Sequence, residues 1–146
     1  MTGEQKQPLR RQATFDIAGL EGFCTVLAAQ LRAGDCLLLN GPLGSGKTQI
    51  VKFLAQALKC SDPVTSPTYG LANFYATQSM PILHIDTYRL SSIDEFHQLG
   101  LDEYFDSHLT LVEWGDQVKN EFYDHLELWL DFATEKQATG SNEQRR

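Results

Sequence analysis

Residues 41–48 read Gly41-Pro42-Leu43-Gly44-Ser45-Gly46-Lys47-Thr48, a complete G-x-x-x-x-G-K-[ST] run. Each fixed position has a chemical task. The glycines let the backbone curl so that its N–H groups point at phosphate oxygens. Lys47 can reach the β- and γ-phosphates of a nucleotide, and the Thr48 hydroxyl can ligate magnesium. A helix opening at the end of the loop adds the positive end of its dipole to the same site. Gly41, Leu43, Gly44, Ser45, Gly46, Lys47, Thr48 and Gln49 are therefore the expected nucleotide contacts.

Two further residues belong with this loop. Asp86 and Glu113 each close a short apolar run, Ile82–Asp86 and Leu109–Glu113. Ligands of open α/β sheets gather at the carboxyl ends of strands, which is also where a phosphate loop begins. Asp86 and Glu113 are thus expected to converge on a magnesium held by Thr48, ligating it or aligning water. For either acid alone, a solvated strand end is an equally good account. Beside an intact phosphate loop, the pair favours function.

Other residues leave two readings open. Ser66-Pro67-Thr68 sets two hydroxyls in a constrained loop, either a sensor of a terminal phosphate or a turn satisfying its own backbone. Trp114 is either a core residue or one that stacks or gates at the site. Arg89 either neutralises phosphate or pairs with a surface carboxylate. The acidic-aromatic stretch Asp102–Asp106 is helix surface or a docking patch. For His84, a packed, hydrogen-bonded strand residue is the preferred reading; it shares a face with Asp86 and Tyr88 if the strand continues.

The elements that must position these groups can be traced along the chain. Asp35–Asn40 reads as a buried strand feeding the loop, and Ile50, Phe53, Leu54, Ala57 and Leu58 form a helical stripe after it. Upstream, Ala13–Ile17 suggests a short edge strand. Phe23, Val26, Leu27 and Leu31 suggest a helix ended by Gly34. Tyr69–Tyr75 is aromatic enough for a strand. Ser92-Ile93-Asp94-Glu95 fits a capping box opening a helix that Gly100 closes. Leu126–Phe132 reads as the last strand. Strands alternating with helices predict an α/β sheet, at least partly parallel and covered on both faces.

A chain of 146 residues suits one domain. It is expected to comprise a mobile segment at 1–12, the nucleotide-binding domain at 13–132 and a polar tail at 133–146. No apolar run approaches the ~20 residues of a membrane helix, and the first residues lack a signal-peptide core. Cys24, Cys36 and Cys60 are few, odd in number and scattered, which points to reduced thiols and a cytoplasmic location. The net charge of −7, with no Lys/Arg cluster away from the ends, argues against a strong direct grip on nucleic acid.

The motifs occur in a recognisable order: the loop at 41–48, Ser66-Pro67-Thr68-Tyr69, His84-Ile85-Asp86-Thr87-Tyr88-Arg89-Leu90, Gly100-Leu101-Asp102-Glu103-Tyr104-Phe105 and Val112-Glu113-Trp114. This series resembles the bacterial TsaE family, the ATPase of tRNA threonylcarbamoyladenosine biosynthesis, over about Leu20 to Phe132. The resemblance implies a P-loop NTPase-like fold, with a parallel central sheet flanked by antiparallel strands. It implies ATP binding, slow intrinsic magnesium-dependent hydrolysis and docking to the TsaB–TsaD pair. TsaD transfers the threonylcarbamoyl group to adenosine 37 of tRNAs reading codons that begin with A, so tRNA is met only through the complex. By position, Thr48 and Glu113 match the magnesium ligands, and Asp86, with Lys47 and Thr68, matches the hydrolytic residues. Ser66 and Thr68 match the loop near the γ-phosphate, and Trp114 an aromatic beside the active site.

The chain departs from the family pattern at a few points. Pro42 and Ser45 replace the usual Asp and Ala, but the backbone does the cradling, so binding is expected to survive. Gly115-Asp116 follows Trp114 where Pro and an acid are usual. The adenine-contacting segment is matched only loosely, around Asp16–Gly22. Members often continue beyond the position of Arg146 through a final strand, so an edge strand is expected to be missing. Two rival functions remain in view. A small-molecule kinase of the P-loop class would need an acceptor pocket and an Arg-bearing lid. A non-catalytic, nucleotide-gated binding module would not need Asp86.

Overall fold

A computed structural model describes residues 9–67 and 71–133. Among these, five strands form one sheet in the order β2-β3-β4-β1-β5. The chain runs α1 (Ile17–Gln30), β1 (Cys36–Asn40), α2 (Lys47–Ala57), β2 (Ala72–Tyr75), β3 (Ile82–Asp86), α3 (Ile93–Gln98), β4 (Leu109–Glu113) and β5 (Leu126–Trp129). Two 3-10 helices, Leu101–Tyr104 and Gly115–Glu121, flank β4. β3, β4, β1 and β5 are mutually parallel, and β2 joins the β3 edge antiparallel. The expected α/β class holds; among the described residues the antiparallel strand lies on one edge, while the opposite edge, β5, is parallel.

Every residue of β1, β3 and β4 is buried. Such strands read as near-continuous apolar runs because helices cover both faces. Alternation divides the core in two. Leu37, Leu39, Ile82, Leu109 and Leu111 pack with α1 and α2. Cys36, Leu38, Leu83, Ile85 and Val112 pack with Phe96 of α3 and with Leu101, Val118 and Phe122. Side chains two apart share a face. His84 and Asp86 therefore follow Ile82, and Glu113 follows Leu111, onto the side where α2 begins.

Some elements differ from the sequence expectation. No strand forms at 13–17: the Asp16 carboxylate accepts from Gly19 N at 2.7 Å and caps α1, while Phe15 stacks on Phe23. α1 ends at Gln30, before Gly34, because Leu31 is already extended; Gly34 instead shapes the turn that follows. β2 begins only at Ala72, because Leu71 has a left-handed φ of 63° that interrupts extended backbone. β5 stops at Trp129. One further ladder bond, Leu130 N to Asn40 O at 2.7 Å, uses the last residue of β1, and the chain then leaves the sheet. Ser92 caps α3 as expected, accepting from Glu95 N, but Glu95 reaches back to Ser91 instead of Ser92. Gly100 takes the left-handed conformation just beyond α3.

Thr68, Tyr69, most of the segment at 1–12, nearly all of the tail at 133–146 and the question of a further edge strand lie outside the described residues. No helix among the described residues is long and apolar enough to cross a membrane.

Candidate nucleotide site

The loop leaves β1 through a conformation that only glycine can hold at its first position. Gly41 has φ +149°, and a Cβ there would lie 2.5 Å from the Leu130 carbonyl oxygen and 2.7 Å from Ser45 Oγ. Leu130, the residue just after β5, therefore walls the loop on one side. At its other end Gly46 sits at φ 106° as the residue before α2, which supplies no side-chain cap. Ser45 N is taken by Pro42 O at 3.1 Å, and the uncapped first turn of α2 leaves its N–H groups to face a ligand.

Lys47 and Thr48 open α2 and face the ends of β3 and β4. Lys47 is buried, and its Nζ donates to Gly41 O at 2.8 Å and Pro42 O at 3.0 Å. The ammonium also stands 3.9 Å from the centre of the Trp114 ring. Burial pushes the Lys47 ammonium below its ordinary value of 10.5, and the nearby Glu113 and Asp86 charges oppose that shift. Thr48 Oγ1 donates to Glu113 Oε1 at 2.8 Å. The expected approach of Thr48 and Glu113 is therefore present as a direct contact between residues 65 apart in sequence.

Asp86 and Glu113 are register partners on adjacent parallel strands. Both are buried, yet their hydrogen-bond partners differ. Glu113 turns one oxygen to Thr48 and the other to His84 Nε2 at 2.6 Å. Asp86 accepts from Tyr88 N at 2.9 Å and from Ser66 Oγ at 3.5 Å. Ser66, Asp86 and Glu113 line one cleft of about 350 Å³ together with Leu43, Gly44, Gly46, Lys47, Thr48, Gln49, Tyr88 and Trp114. Gly41 stays behind the cleft as the acceptor for Lys47, and Ser45 turns a buried, unpartnered hydroxyl toward the Gly41 side.

Trp114 is half-buried, so it is neither a plain core residue nor a surface one. It adopts φ 60°, a conformation that costs about 1–3 kcal/mol in a bulky residue and is met mostly at functional sites. Its backbone is held on both sides: Trp114 N donates to Leu39 O at 2.8 Å, and Thr87 Oγ1 donates to Trp114 O at 2.7 Å. Its ring lies 5.1 Å from that of Tyr88. The strain delivers the indole over Lys47.

His84 is packed and hydrogen-bonded, as the sequence suggests, but its partner is Glu113. Sequence reasoning missed this contact, and with it Tyr75, whose hydroxyl lies 3.3 Å from His84 Nδ1. It also missed Thr87 behind Trp114. Only the alternation of His84 with Asp86 hinted at the first of these. Arg89 is exposed and is not among the cleft-lining residues. In the stretch 102–106, Asp102, Glu103 and Asp106 are exposed while Tyr104 and Phe105 pack on the second core.

The family model described as threonylcarbamoyl adenosine biosynthesis protein TsaE matches residues 16–145. Over 111 residues the chain is 40% identical to the tRNA threonylcarbamoyladenosine biosynthesis protein TsaE of Streptomyces coelicolor, covering 73% of this chain and 75% of that one. The TsaE of Mycobacterium tuberculosis is 35% identical over 115 residues, covering 72% and 68%. The crystal structure of YdiB from Bacillus subtilis is similar with a TM-score of 0.71 and 28% identity, over 86% of this chain and 78% of that one. Sequence motifs, fold and relatives agree: this chain belongs to the TsaE family of threonylcarbamoyl adenosine biosynthesis proteins.

Proposed function

We propose that this chain is a magnesium-dependent ATPase that acts with the TsaB–TsaD pair in forming threonylcarbamoyladenosine on tRNA. The observation that carries the reading is the 2.8 Å contact of Thr48 Oγ1 with Glu113 Oε1 at the mouth of a complete phosphate loop. Two hard oxygen donors at that point fit magnesium, which takes one or two protein carboxylates or hydroxyls and fills its shell with phosphate and water. Among the described residues no group of three His, Cys, Asp or Glu side chains could hold a metal by itself. The ion would therefore depend on the nucleotide for the rest of its ligands.

Within this reading the loop N–H groups cradle the phosphates, and Lys47 exchanges the carbonyls of Gly41 and Pro42 for the β- and γ-phosphate oxygens. Thr48 Oγ1 and the Glu113 carboxylate would hold the magnesium, which would supply positive charge against the phosphates. Asp86, anchored through Tyr88 N, accepts a hydrogen bond from the attacking water and orients it. Ser66 lies beside Asp86, where the terminal phosphate and that water would meet. Catalysis is positioning and charge stabilisation, with no covalent intermediate on the protein. The acidic surface, with a net charge of −7, favours contact with tRNA through the TsaB–TsaD complex over direct binding.

The test is phosphate release from ATP, with and without magnesium, TsaB–TsaD and tRNA. Release of inorganic phosphate to water, accelerated by the complex, is the expected result. Phosphate appearing on an added small-molecule acceptor would favour a kinase. Nucleotide-dependent assembly that is indifferent to Asp86→Ala would favour a gated binding module.

A further inference from the structure

A chain of hydrogen bonds runs from the loop that carries Ser66 to the end of β4. Tyr75, the last residue of β2, is buried. Its hydroxyl oxygen lies 3.3 Å from His84 Nδ1, 3.3 Å from Thr65 N, 3.2 Å from Asn73 Nδ2 and 3.0 Å from Thr65 O. His84 is fully buried, and its Nε2 meets Glu113 Oε2 at 2.6 Å. Glu113 Oε1 accepts from Thr48 at 2.8 Å.

Proton counting orders these contacts. An ionised Glu113 only accepts, so His84 Nε2 carries the proton it shares with Glu113. The other ring nitrogen, Nδ1, lies 3.3 Å from the Tyr75 hydroxyl oxygen. The Tyr75 hydroxyl donates to Thr65 O at 3.0 Å, and its oxygen accepts from Thr65 N and Asn73 Nδ2. The Thr65 carbonyl takes the second Asn73 amide proton at 3.3 Å. These contacts tie the exposed Thr65 and half-buried Asn73 to the buried Tyr75, His84 and Glu113, and such a linked network restrains its members together.

We infer that Tyr75 and His84 are positioning residues that couple the loop at 64–67 to Glu113. The placement of Ser66 and the orientation of the Glu113 carboxylate are thereby set together. This inference rests on the proposal that Thr48 and Glu113 hold magnesium. Neither Tyr75 nor His84 touches the nucleotide or the ion. Each acts through Glu113, as partners behind a ligating carboxylate do elsewhere, where their loss typically costs about 10–100-fold in metal affinity.

The test measures binding rather than turnover. The affinity of a non-hydrolysable ATP analogue is determined with magnesium and with chelator, for the unaltered protein and for Tyr75→Phe, His84→Leu and His84→Gln. The readout is the ratio of the two affinities. Tyr75→Phe keeps the ring and removes one hydroxyl; it is expected to reduce the magnesium enhancement about threefold to tenfold and leave the chelator value unchanged. His84→Leu should reduce it further, and His84→Gln should recover part of the loss because its amide can donate to Glu113. In a Glu113→Ala background, Tyr75→Phe should add nothing, since the partner it acts through is gone. If His84→Leu fails to fold, Tyr75→Phe and His84→Gln decide the matter.

An enhancement that survives both Tyr75→Phe and His84→Leu overturns the coupling while leaving the magnesium site intact. Equal losses with magnesium and with chelator also overturn it, because they mark a role in folding alone. No enhancement in the unaltered protein overturns the magnesium site itself, and the coupling with it.

Discussion

The Lys47 ammonium stands 3.9 Å over the Trp114 ring while it donates to the carbonyls of Gly41 and Pro42. The loop lysine is thus held by its own loop and by a strained indole, and in the proposed function phosphate draws it away from both. Nucleotide binding should therefore change the emission of Trp114. The chain has two tryptophans, so the measurement belongs in a Trp129→Phe background, where Trp114 is the sole indole. Saturating ATP should shift the emission, and Lys47→Ala should abolish the response. Emission that is unchanged at saturation would contradict the exchange of Lys47 partners.

Whereas Glu113 takes the Thr48 hydroxyl, Asp86 accepts from Tyr88 N and Ser66 Oγ. Its role in the account is to orient water, not to hold nucleotide. Asp86→Asn should leave ATP affinity within about threefold and lower turnover about 10²-fold or more, the usual worth of a proton acceptor placed in a transition state. Phosphate release in the presence of TsaB–TsaD and equilibrium binding on the same sample separate the two effects. A large loss of affinity with unchanged turnover at saturation would reverse the assignment.

Gly115 follows the strained Trp114 and rests against β1. A Cβ there would lie 2.7 Å from Leu38 Cβ and 3.0 Å from Leu38 Cα. Backbone cannot step aside as a flexible side chain can, so Gly115→Ala should destabilise the fold by about 1–3 kcal/mol. Chemical denaturation reads this directly. Because the clash also pushes on the segment carrying Trp114, nucleotide affinity should fall as well.

The three thiols should behave unequally. Burial raises Cys24 from its ordinary 9.0 to about 11, and burial followed by the Asp35 charge raises Cys36 further. At pH 8 both remain protonated and enclosed, so an alkylating reagent should label Cys60, the partly exposed thiol, and spare the other two until denaturant is added. The unfolded chain gives up these protons near pH 9.0 while the native chain keeps them, so stability falls as pH rises above about 9. Mass spectrometry of the labelled native protein, and melting temperature against pH, check each part.

The parts of this site visible in sequence are those encoded locally. The phosphate loop is contiguous, and β1, β3 and β4 announce themselves because both faces of each are buried and the residues run apolar. Asp86 and Glu113 stand out as polar ends of such runs. What is not legible depends on register. That His84 meets Glu113, and not Asp86 or solvent, follows from β3 and β4 pairing Asp86 with Glu113, a choice no local pattern specifies. Tyr75 enters only because β2 turns back antiparallel beside β3. The start of β2 was hidden for another reason: its aromatic residues suit a strand, but Leu71 takes a left-handed turn that sequence propensity does not forecast. At Asp16 a capping residue sits beside residues that suit an edge strand, and the cap prevailed because it opens a helix that packs on the core.

The central claim is that Thr48 and Glu113 hold magnesium for ATP bound on the loop. Glu113→Ala tests it most directly, through the affinity for ATP measured with magnesium and with chelator. The magnesium-dependent affinity is expected to fall about tenfold or more while the magnesium-free affinity falls much less. Equal losses under the two conditions would contradict a metal-ligand role for Glu113.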